Sequence, residues 1–281
     1  MKLEYFSTDL NFPFFIQFGH HEDYMFVHAH QDFSELVVVL EGSATHMVDD
    51  EELLISKGDV FVINEGTRHG YKNLINFKIC NIMFDFDYMF SDHPDLKTSA
   101  AFHTLFVVEP NLKERKFTSR TKLNDEELKK LTVRLKNMSD EYALRKTGYR
   151  SYLQSEFVEL SIELIRKFER FECIGDNNIS GIASVAAEIE KHFDRDYTVE
   201  ELAKMAGVSV RHFTRVFSQT YNMPVTKYLE TVRMNNAKLL LRSSSKSVTE
   251  IAYECGFSDN NYFARRFKAL FQITPTAYRG M

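Results

Sequence analysis

The 281-residue sequence contains no tryptophan and only three cysteines. Cys80, Cys173 and Cys255 are odd in number and far apart, which argues against a disulfide framework and predicts a reducing environment. No apolar run reaches the roughly 18 residues that a membrane-spanning helix needs. The first residues, MKLEYFSTDLNFPFF, lack the pattern of a secretory signal. The composition therefore predicts a cytoplasmic protein with no membrane partner.

Basic residues are fewer than acidic ones over the whole chain, 35 against 40, but exceed them in the last hundred residues. The net charge is −5. Residues 182–281 contain 14 Lys and Arg against 10 Asp and Glu, a balance of +4, whereas residues 1–181 contain 21 against 30, a balance of −9. A basic segment on an acidic chain is a weak indication of a polyanionic partner.

Residues 1–121 consist of short runs rich in Val, Ile and Phe, separated by turns such as SKGD and NEGTRHG. Many short strands at regular spacing predict an all-β sandwich or barrel. The runs are FPFFIQF, YMFVHAH, ELVVVLEG, THMV, ELLISKGDVFVI, KICNIMFDF and HTLFVVEP.

Residues 122–172 change to a helical pattern and predict an αα-hairpin. Asn124 is suited to cap the first helix, which opens with acidic residues. Its apolar stripe is Leu128, Leu131, Leu135, Met138 and Tyr142, and that of the second helix is Leu153, Phe157, Leu160, Leu164 and Phe168. Two interpretations stay open: the stripes pack within the chain, or they form a coiled-coil-like dimer seam.

The polar residues 173–181 predict a linker, and residues 182–281 predict an all-α domain. The fold class is therefore α+β with several domains. The all-α domain contains a repeat, in which TVEELAKMAGVSVRHFTRVF (198–217) matches SVTEIAYECGFSDNNYFARRF (247–267) with one extra residue in the second copy.

Each copy predicts a helix, a tight turn and a second helix. Thr198 with Glu201, and Ser247 with Glu250, have capping-box spacing. Gly207 and Gly256 lie where the first helix has to end in a left-handed cap, and Ser209 and Ser258 are expected to cap the second helix. This is a helix-turn-helix, whose second helix fits a DNA major groove, and two copies weaken the alternative of an ordinary helical repeat.

The faces of the second helices decide whether they read DNA. Phenylalanines Phe213, Phe217, Phe263 and Phe267 define the buried faces, which leaves Arg, Asn, Thr and Ala side chains exposed. Arg recognises guanine, Asn recognises adenine, and small methyl groups meet thymine methyls. The expected base-contacting residues are Arg211, Thr214, Arg215, Asn260, Asn261, Ala264 and Arg265, with Lys268 near the phosphates.

Residues 182–281 resemble the DNA-binding domain of the AraC family of bacterial transcription regulators. The match includes AKMAGVS (203–209), Arg233 and Ala237 with Leu240-Leu241 on a joining helix of about 16 residues, and IAYECGFSDNNYFARRFK with ITPTAYR. One departure is Asn222, where the family has glycine; Asn tolerates the same left-handed backbone. The resemblance implies operator DNA and RNA polymerase as partners, a homodimer and, by family habit, activation.

The stretch HAHQDFSELVVVLEG (28–42) has metal-ligand residue types at metal-ligand spacing. Together with Gly58, Asn64, Gly66, His69 and Asn73 it resembles the two motifs of cupins, which are small β-barrels. In cupin enzymes His28, His30, Glu35 and His69 would hold a divalent metal. A sensor needs binding rather than turnover, and sugar hydroxyls suit the same side chains. The first interpretation is thus a ligand pocket without a cofactor, the second a metal site, and catalysis comes last.

The segment 77–110 resembles, more loosely, the rhamnose-responsive branch of the family. The sequence thus predicts a sequence-specific transcription regulator, not an enzyme, that responds to a small molecule, in the first place a sugar, bound in the N-terminal barrel. The alternative is a metal-binding cupin, either a metal-responsive regulator or an enzyme tethered to DNA.

Overall fold

The computed structural model describes residues 1–7, 9, 11–21, 25–49, 51–108, 120–171 and 178–280. The chain divides into two compact units, one formed by Met1–Leu96 with Ala101–Gly175 and the other by Lys97–Ala100 with Asp176–Met281. Of the predicted linker, residues 173–177 lie outside the described residues, and residues 178–181 already belong to a helix. Among the helices of the described residues, none combines the length and the hydrophobicity that a membrane-spanning segment requires.

The first unit contains the described strands and four α-helices. Its strands are β1 (Phe14–His21), β2 (Met25–His28), β3 (Ser34–Val48), β4 (Glu51–Ser56), β5 (Asp59–Ile63), β6 (His69–Phe84) and β7 (Arg120–Lys122). Its helices are α1 (Phe86–Phe90), α2 (Ala100–Phe106), α3 (Asp125–Leu144) and α4 (Tyr149–Phe171).

The strands form one antiparallel sheet in the order β1-β6-β3-β5-β7, with β2 added to β6 and β4 added to β3. Strands β3 and β6 pair along most of their length, and their register shifts between Val39 and Thr45, where the pair bends. Gly42 lies in this bend with φ +71°, and a Cβ there would come within 2.0 Å of the Ile75 carbonyl oxygen. Only glycine fits this position, which explains the glycine that closes the first motif.

The run HTLFVVEP (103–110) is predicted as a strand, but none of its described residues, 103–108, is in a strand. Helix α2 covers its first part, and the side chains from Ala101 to Phe106 are all buried in it. A short apolar segment buried on all sides has the same periodicity in a helix as in a strand, so its pattern alone cannot distinguish the two.

The apolar stripes of α3 and α4 are buried within the chain. All ten residues that define the two stripes belong to the core that also contains Phe14, Leu36 and Phe84 of the sheet. Asn124 caps α3 through a capping box with Glu127, as the sequence predicts. The interpretation that the stripes pack inside the chain is therefore confirmed, and a dimer seam would have to use other residues.

In the described residues from 178 to 280 of the second unit, all regular secondary structure is helical. Its helices are α5 (Asn178–Lys191), α6 (Val199–Met205), α7 (Val210–Tyr221), α8 (Val225–Ser243), α9 (Val248–Glu254), α10 (Asn260–Phe271) and α11 (Pro275–Arg279). Helices α6–α7 and α9–α10 are the two helix-turn-helix pairs. The joining helix α8 has 19 residues, so it is about 28 Å long rather than the predicted ~24 Å.

The predicted caps of the helix-turn-helix pairs are confirmed with one exception. Both capping boxes are present, and Gly207 and Gly256 have φ of +71° and +78°. Ser209 caps α7, and Asn222 takes the left-handed conformation at φ +54°. The prediction for Ser258 is wrong: the extra residue of the second copy, Asp259, caps α10 and accepts hydrogen bonds from two backbone N–H groups.

Candidate functional site

The second helix of each helix-turn-helix pair presents a polar face to solvent. In α7, Phe213 and Phe217 are fully buried, whereas Arg211, Thr214 and Arg215 are exposed. In α10, Phe263 and Phe267 are fully buried, and the opposite face carries exposed Asn261, Arg265 and Lys268 with half-buried Asn260 and Ala264. All eight side chains predicted to contact DNA thus lie off the two buried faces.

Local contacts restrict some of these side chains before any DNA is bound. Arg215 donates a hydrogen bond from Nη1 to Gln219 Oε1 one turn later, at 3.0 Å. The Thr214 hydroxyl donates to backbone carbonyls of its own helix, including that of Val210 at 2.9 Å. Asn260 Oδ1 is buried without a hydrogen-bond partner among the described residues, so this acceptor has capacity for a donor supplied from outside.

Arg233 of the joining helix α8 connects the second helix-turn-helix pair to the segment that precedes the first pair. It donates to the carbonyl oxygens of Phe193 (2.7 Å) and Arg195 (2.8 Å), and its guanidinium lies over the Phe257 ring of the second pair. Gly256 lies against it, because a Cβ there would come within 2.8 Å of the guanidinium carbon. The glycine of the second turn is therefore required both by its φ and by the packing of Arg233.

The first unit brings together the four side chains predicted as ligands. His28 ends β2, His30 follows in the next loop, Glu35 lies near the start of β3, and His69 begins β6 as the register partner of His28. The Nε2 atoms of His30 and His69 are 3.2 Å apart, and Glu35 Oε2 is 3.9 Å and 4.0 Å from them. One nitrogen from each of the three histidines lies within 4.8 Å of the others.

Burial makes this cluster neutral at neutral pH. Burial raises the pKa of Glu35 to about 8 and lowers the pKa of His30 to about 3. The pKa of His69 is also lowered well below its usual value, first by burial and then by the neighbouring histidines. A protonated carboxyl group beside neutral imidazoles offers hydrogen-bond donors and acceptors without net charge.

Comparison with known proteins identifies both parts of the chain. The family model described as a helix-turn-helix domain matches residues 202–281, and the one described as a cupin domain matches residues 16–78. The chain is 29% identical over 268 residues to the HTH-type transcriptional activator RhaR of Mannheimia succiniciproducens, covering 95% of this chain and 91% of that protein. It is 28% identical over 256 residues to RhaS of Citrobacter koseri, covering 89% and 86% respectively.

Among solved structures, an AraC-type DNA-binding transcriptional regulator from Chromobacterium violaceum is 30% identical over 36% of this chain and 89% of its own, with a TM-score of 0.35. The chain belongs to the AraC family of transcriptional regulators. Because its relatives are named as transcriptional regulators, the prediction of a DNA-binding regulator rather than an enzyme is confirmed.

The cupin part of this AraC-family chain contains further polar groups that the sequence motifs do not include. Tyr71 Oη, Thr67 Oγ1 and Asn81 Oδ1 are buried without a hydrogen-bond partner among the described residues, as are the Nδ1 atoms of His30 and His69. Tyr71 follows His69 by two residues, so it shares a sheet face with it. That spacing is the signal from which Tyr71 was predictable, whereas nothing in the sequence marks Thr67 or Asn81 as buried.

The histidine cluster of this AraC-family chain also has donor atoms suited to a divalent metal. Two nitrogens bound to one zinc-like ion lie about 3.0–3.4 Å apart, which matches the 3.2 Å between His30 and His69 Nε2. His28 Nδ1 lies 3.1 Å from the Phe26 carbonyl oxygen and donates to it, which leaves Nε2 free as a ligand. Glu35 Oε2 is farther away and would have to approach. The residues therefore fit a metal as well as a hydrogen-bonding ligand.

Proposed function

We propose that this protein activates transcription in response to a small sugar bound in its cupin part, and that it acts as a homodimer on operator DNA with RNA polymerase as its second partner. DNA as the partner also supports the predicted cytoplasmic location. The observation that carries the effector proposal is a group of buried polar atoms without hydrogen-bond partners among the described residues: His30 Nδ1 and His69 Nδ1, whose rings lie beside Glu35, and Tyr71 Oη, whose ring lies beside His69. Each unpaired buried group costs about 1–3 kcal/mol, which a ligand rich in hydroxyl groups would recover.

The neutral protonation state of the pocket favours a sugar among small polar ligands. An anionic ligand would find no cation among His30, Glu35 and His69 at neutral pH, because burial disfavours the charged form of each. A hydroxyl group can donate to an imidazole nitrogen and accept from the Glu35 carboxyl proton. The relatives RhaR and RhaS are named transcriptional activators, which supports activation rather than repression.

The test is a thermal-shift and calorimetric screen of the purified protein against deoxyhexoses, pentoses and hexoses after treatment with a chelator. A ligand that binds only the folded state raises the unfolding midpoint by mass action. We expect a shift with at least one sugar and its loss in Tyr71→Phe, which keeps the ring but removes the hydroxyl. Tyr88→Phe, at an exposed tyrosine, is the matched control. Absence of any shift across the sugars would reject the effector class.

A ligand regulates transcription only if it binds more tightly in one of two states of the protein. DNA binding, or transcription from a reporter operator, should therefore change when the sugar that gave the thermal shift is added. An unchanged response would separate binding in the pocket from regulation and contradict the proposed role.

The second candidate effector is a divalent metal, favoured by the converging nitrogens of His28, His30 and His69. Binding of a cation would require Glu35 to lose its proton, since its pKa is about 8. Calorimetry in two buffers of different ionisation enthalpy should then report release of about one proton, whereas sugar binding releases none. Metal retained without a chelator and lost in His28→Ala and His69→Ala would favour this candidate over the sugar.

A further inference from the structure

The Glu230 carboxylate connects helix α8 to α10, the second helix of the second helix-turn-helix pair. We call α7 and α10, which carry the residues predicted to contact bases, the reading helices. Glu230 accepts two hydrogen bonds from Arg266 of α10, from Nε to Oε1 at 2.6 Å and from Nη2 to Oε2 at 2.7 Å. It also accepts from the Tyr262 hydroxyl of α10 at 2.9 Å and from Lys227 Nζ of its own helix at 2.8 Å. We call these four residues the Glu230 cluster.

The Glu230 cluster contains two cations and one anion. The Glu230 side chain is only 16% exposed, whereas those of Arg266 and Lys227 are 37% and 41% exposed. The hydrogen bonds from Arg266 are the main reason that the pKa of Glu230 falls to about 2, so the carboxylate is charged at every physiological pH. A bidentate contact of this type fixes both the position and the rotation of the guanidinium plane.

Arg266 is adjacent in sequence to the predicted base-contacting residue Arg265 and precedes the buried Phe267. Its side chain is therefore about 100° from that of Arg265 around the axis of α10. Arg266 is held to α8 by its two hydrogen bonds to Glu230. If α10 rotated about its axis and changed the direction in which Arg265 points, both hydrogen bonds would have to break.

The first helix-turn-helix pair does not use this device. Alignment of Phe217 with Phe267 and of Arg215 with Arg265 places Val216 where the second pair has Arg266. Val216 is partly buried against the apolar cluster that contains Val232 of α8. The first reading helix is thus anchored at this position by an apolar contact and the second by an ionic one.

We propose that Glu230 is a positioning residue that holds α10 in its reading orientation and keeps Arg266 and Lys227 from binding DNA phosphates. An arginine on a reading helix contacts any phosphate within reach, and such contacts raise affinity for all DNA sequences alike. By pairing Arg266 within the protein, Glu230 lowers affinity for random DNA and preserves the sequence selectivity of the second pair.

The experiment measures base preferences of the full-length protein by selection from random DNA, and affinity for random DNA at several salt concentrations. Arg215→Ala and Arg265→Ala first show which positions of the selected motif depend on α7 and which on α10. Glu230→Gln should then flatten the preferences assigned to α10 and leave those of α7 unchanged. Affinity for random DNA should rise several-fold, and the slope of log K against log salt should steepen by about 0.9 for each additional phosphate that the protein neutralises.

Two further variants separate the parts of the proposal. Arg266→Gln alone should flatten the α10 preferences without raising affinity for random DNA, because no cation is released. Glu254→Gln is the matched control: it removes one negative charge from an ion pair with Lys246 in the same unit, away from the Glu230 cluster, and should leave the α10 preferences intact.

A loss of random and selected binding together in Glu230→Gln would show that Glu230 only stabilises the domain, and would overturn the proposal. Preferences for α10 that persist in both Glu230→Gln and Arg266→Gln would overturn it as well. A rise in random binding of the same size in Glu254→Gln would reduce the effect to net charge and would also overturn it.

Discussion

Glu35 is the residue on which the two candidate effectors make opposite demands. A sugar hydroxyl is served by the protonated carboxyl group, whereas a metal ion requires the carboxylate. Burial favours the protonated form by raising the pKa to about 8, and it favours neutral His30 and His69 for the same reason. The physical state of the free pocket therefore agrees better with a neutral ligand.

The raised pKa of Glu35 also predicts a pH dependence of stability. The folded state holds the proton up to about pH 8 and the unfolded chain only up to about 4.5, so stability decreases as pH rises through this window. The glutamine of Glu35→Gln cannot ionise. Between pH 5 and pH 8 the free energy of unfolding should therefore decrease by about 2–4 kcal/mol more in the wild type than in this variant. Denaturant unfolding at several pH values measures this. Glu51→Gln on β4 is the control, and parallel curves for Glu35→Gln and the wild type would contradict the raised pKa.

Equivalent arginines on the two reading helices should have equivalent but separable effects. Arg215→Ala and Arg265→Ala should each cost about 1–3 kcal/mol in discrimination at one base position, since each removes a side chain able to pair with a guanine. Lys268→Ala should instead weaken binding to all sequences uniformly, as expected for a phosphate contact. Selection from random DNA measures both effects. Unchanged base preferences in both arginine variants would show that these helices do not read bases through the two arginines.

At the scale of elements, the helix ends are predicted well from neighbouring residues, whereas conformations that depend on tertiary burial are not. Asn124, Thr198 and Ser247 cap helices as their spacing indicates, because a cap depends only on neighbouring residues. Helix α2 does not follow from the sequence, because tertiary burial decides the conformation of a short apolar run. The convergence of His28, His30, Glu35 and His69 follows from their spacing and from the resemblance to cupins. The burial of the Thr67 and Asn81 polar atoms depends on tertiary packing and does not follow from the sequence.

The aspartate cap of α10 gives a prediction about one element. Asp259→Ala should lower the free energy of unfolding of the helical unit by about 0.5–2 kcal/mol, because the side chain accepts from the N–H groups of Asn261 and Tyr262. Ser258→Ala is the neighbouring control and should have a much smaller effect, since Ser258 is exposed and does not cap the helix. Chemical denaturation monitored by helical circular dichroism measures both. A larger loss in the Ser258 variant would mean that the serine is the cap in solution.

At the scale of the whole molecule, each unit has its own apolar clusters and its own role. One face of the cupin sheet shares an apolar cluster with the hairpin, whereas Tyr71 belongs to a second cluster with Val37 and Phe77. A ligand near Tyr71 therefore lies in the same unit as α3 and α4 but not in the cluster that contains them. The helical unit has two apolar clusters, one around each helix-turn-helix pair, bridged by α8. The apolar stripes of the hairpin are buried in the cluster that they share with the sheet. The same spacing occurs in a stripe buried within a chain and in one buried against a second protomer, so spacing alone does not distinguish the two.

This arrangement predicts that the stripe residues determine stability rather than association. Leu135 is fully buried, and Leu135→Ala should lower the free energy of unfolding of the first unit by about 2–5 kcal/mol. Val133 is 55% exposed on the opposite face of the same helix, so Val133→Ala should change stability little and serves as the control. Denaturant unfolding measures the loss, and sedimentation of the folded variants measures association, which should equal that of the wild type. A Leu135→Ala protein that keeps its stability but dissociates would mean that the stripe is an interface between protomers after all.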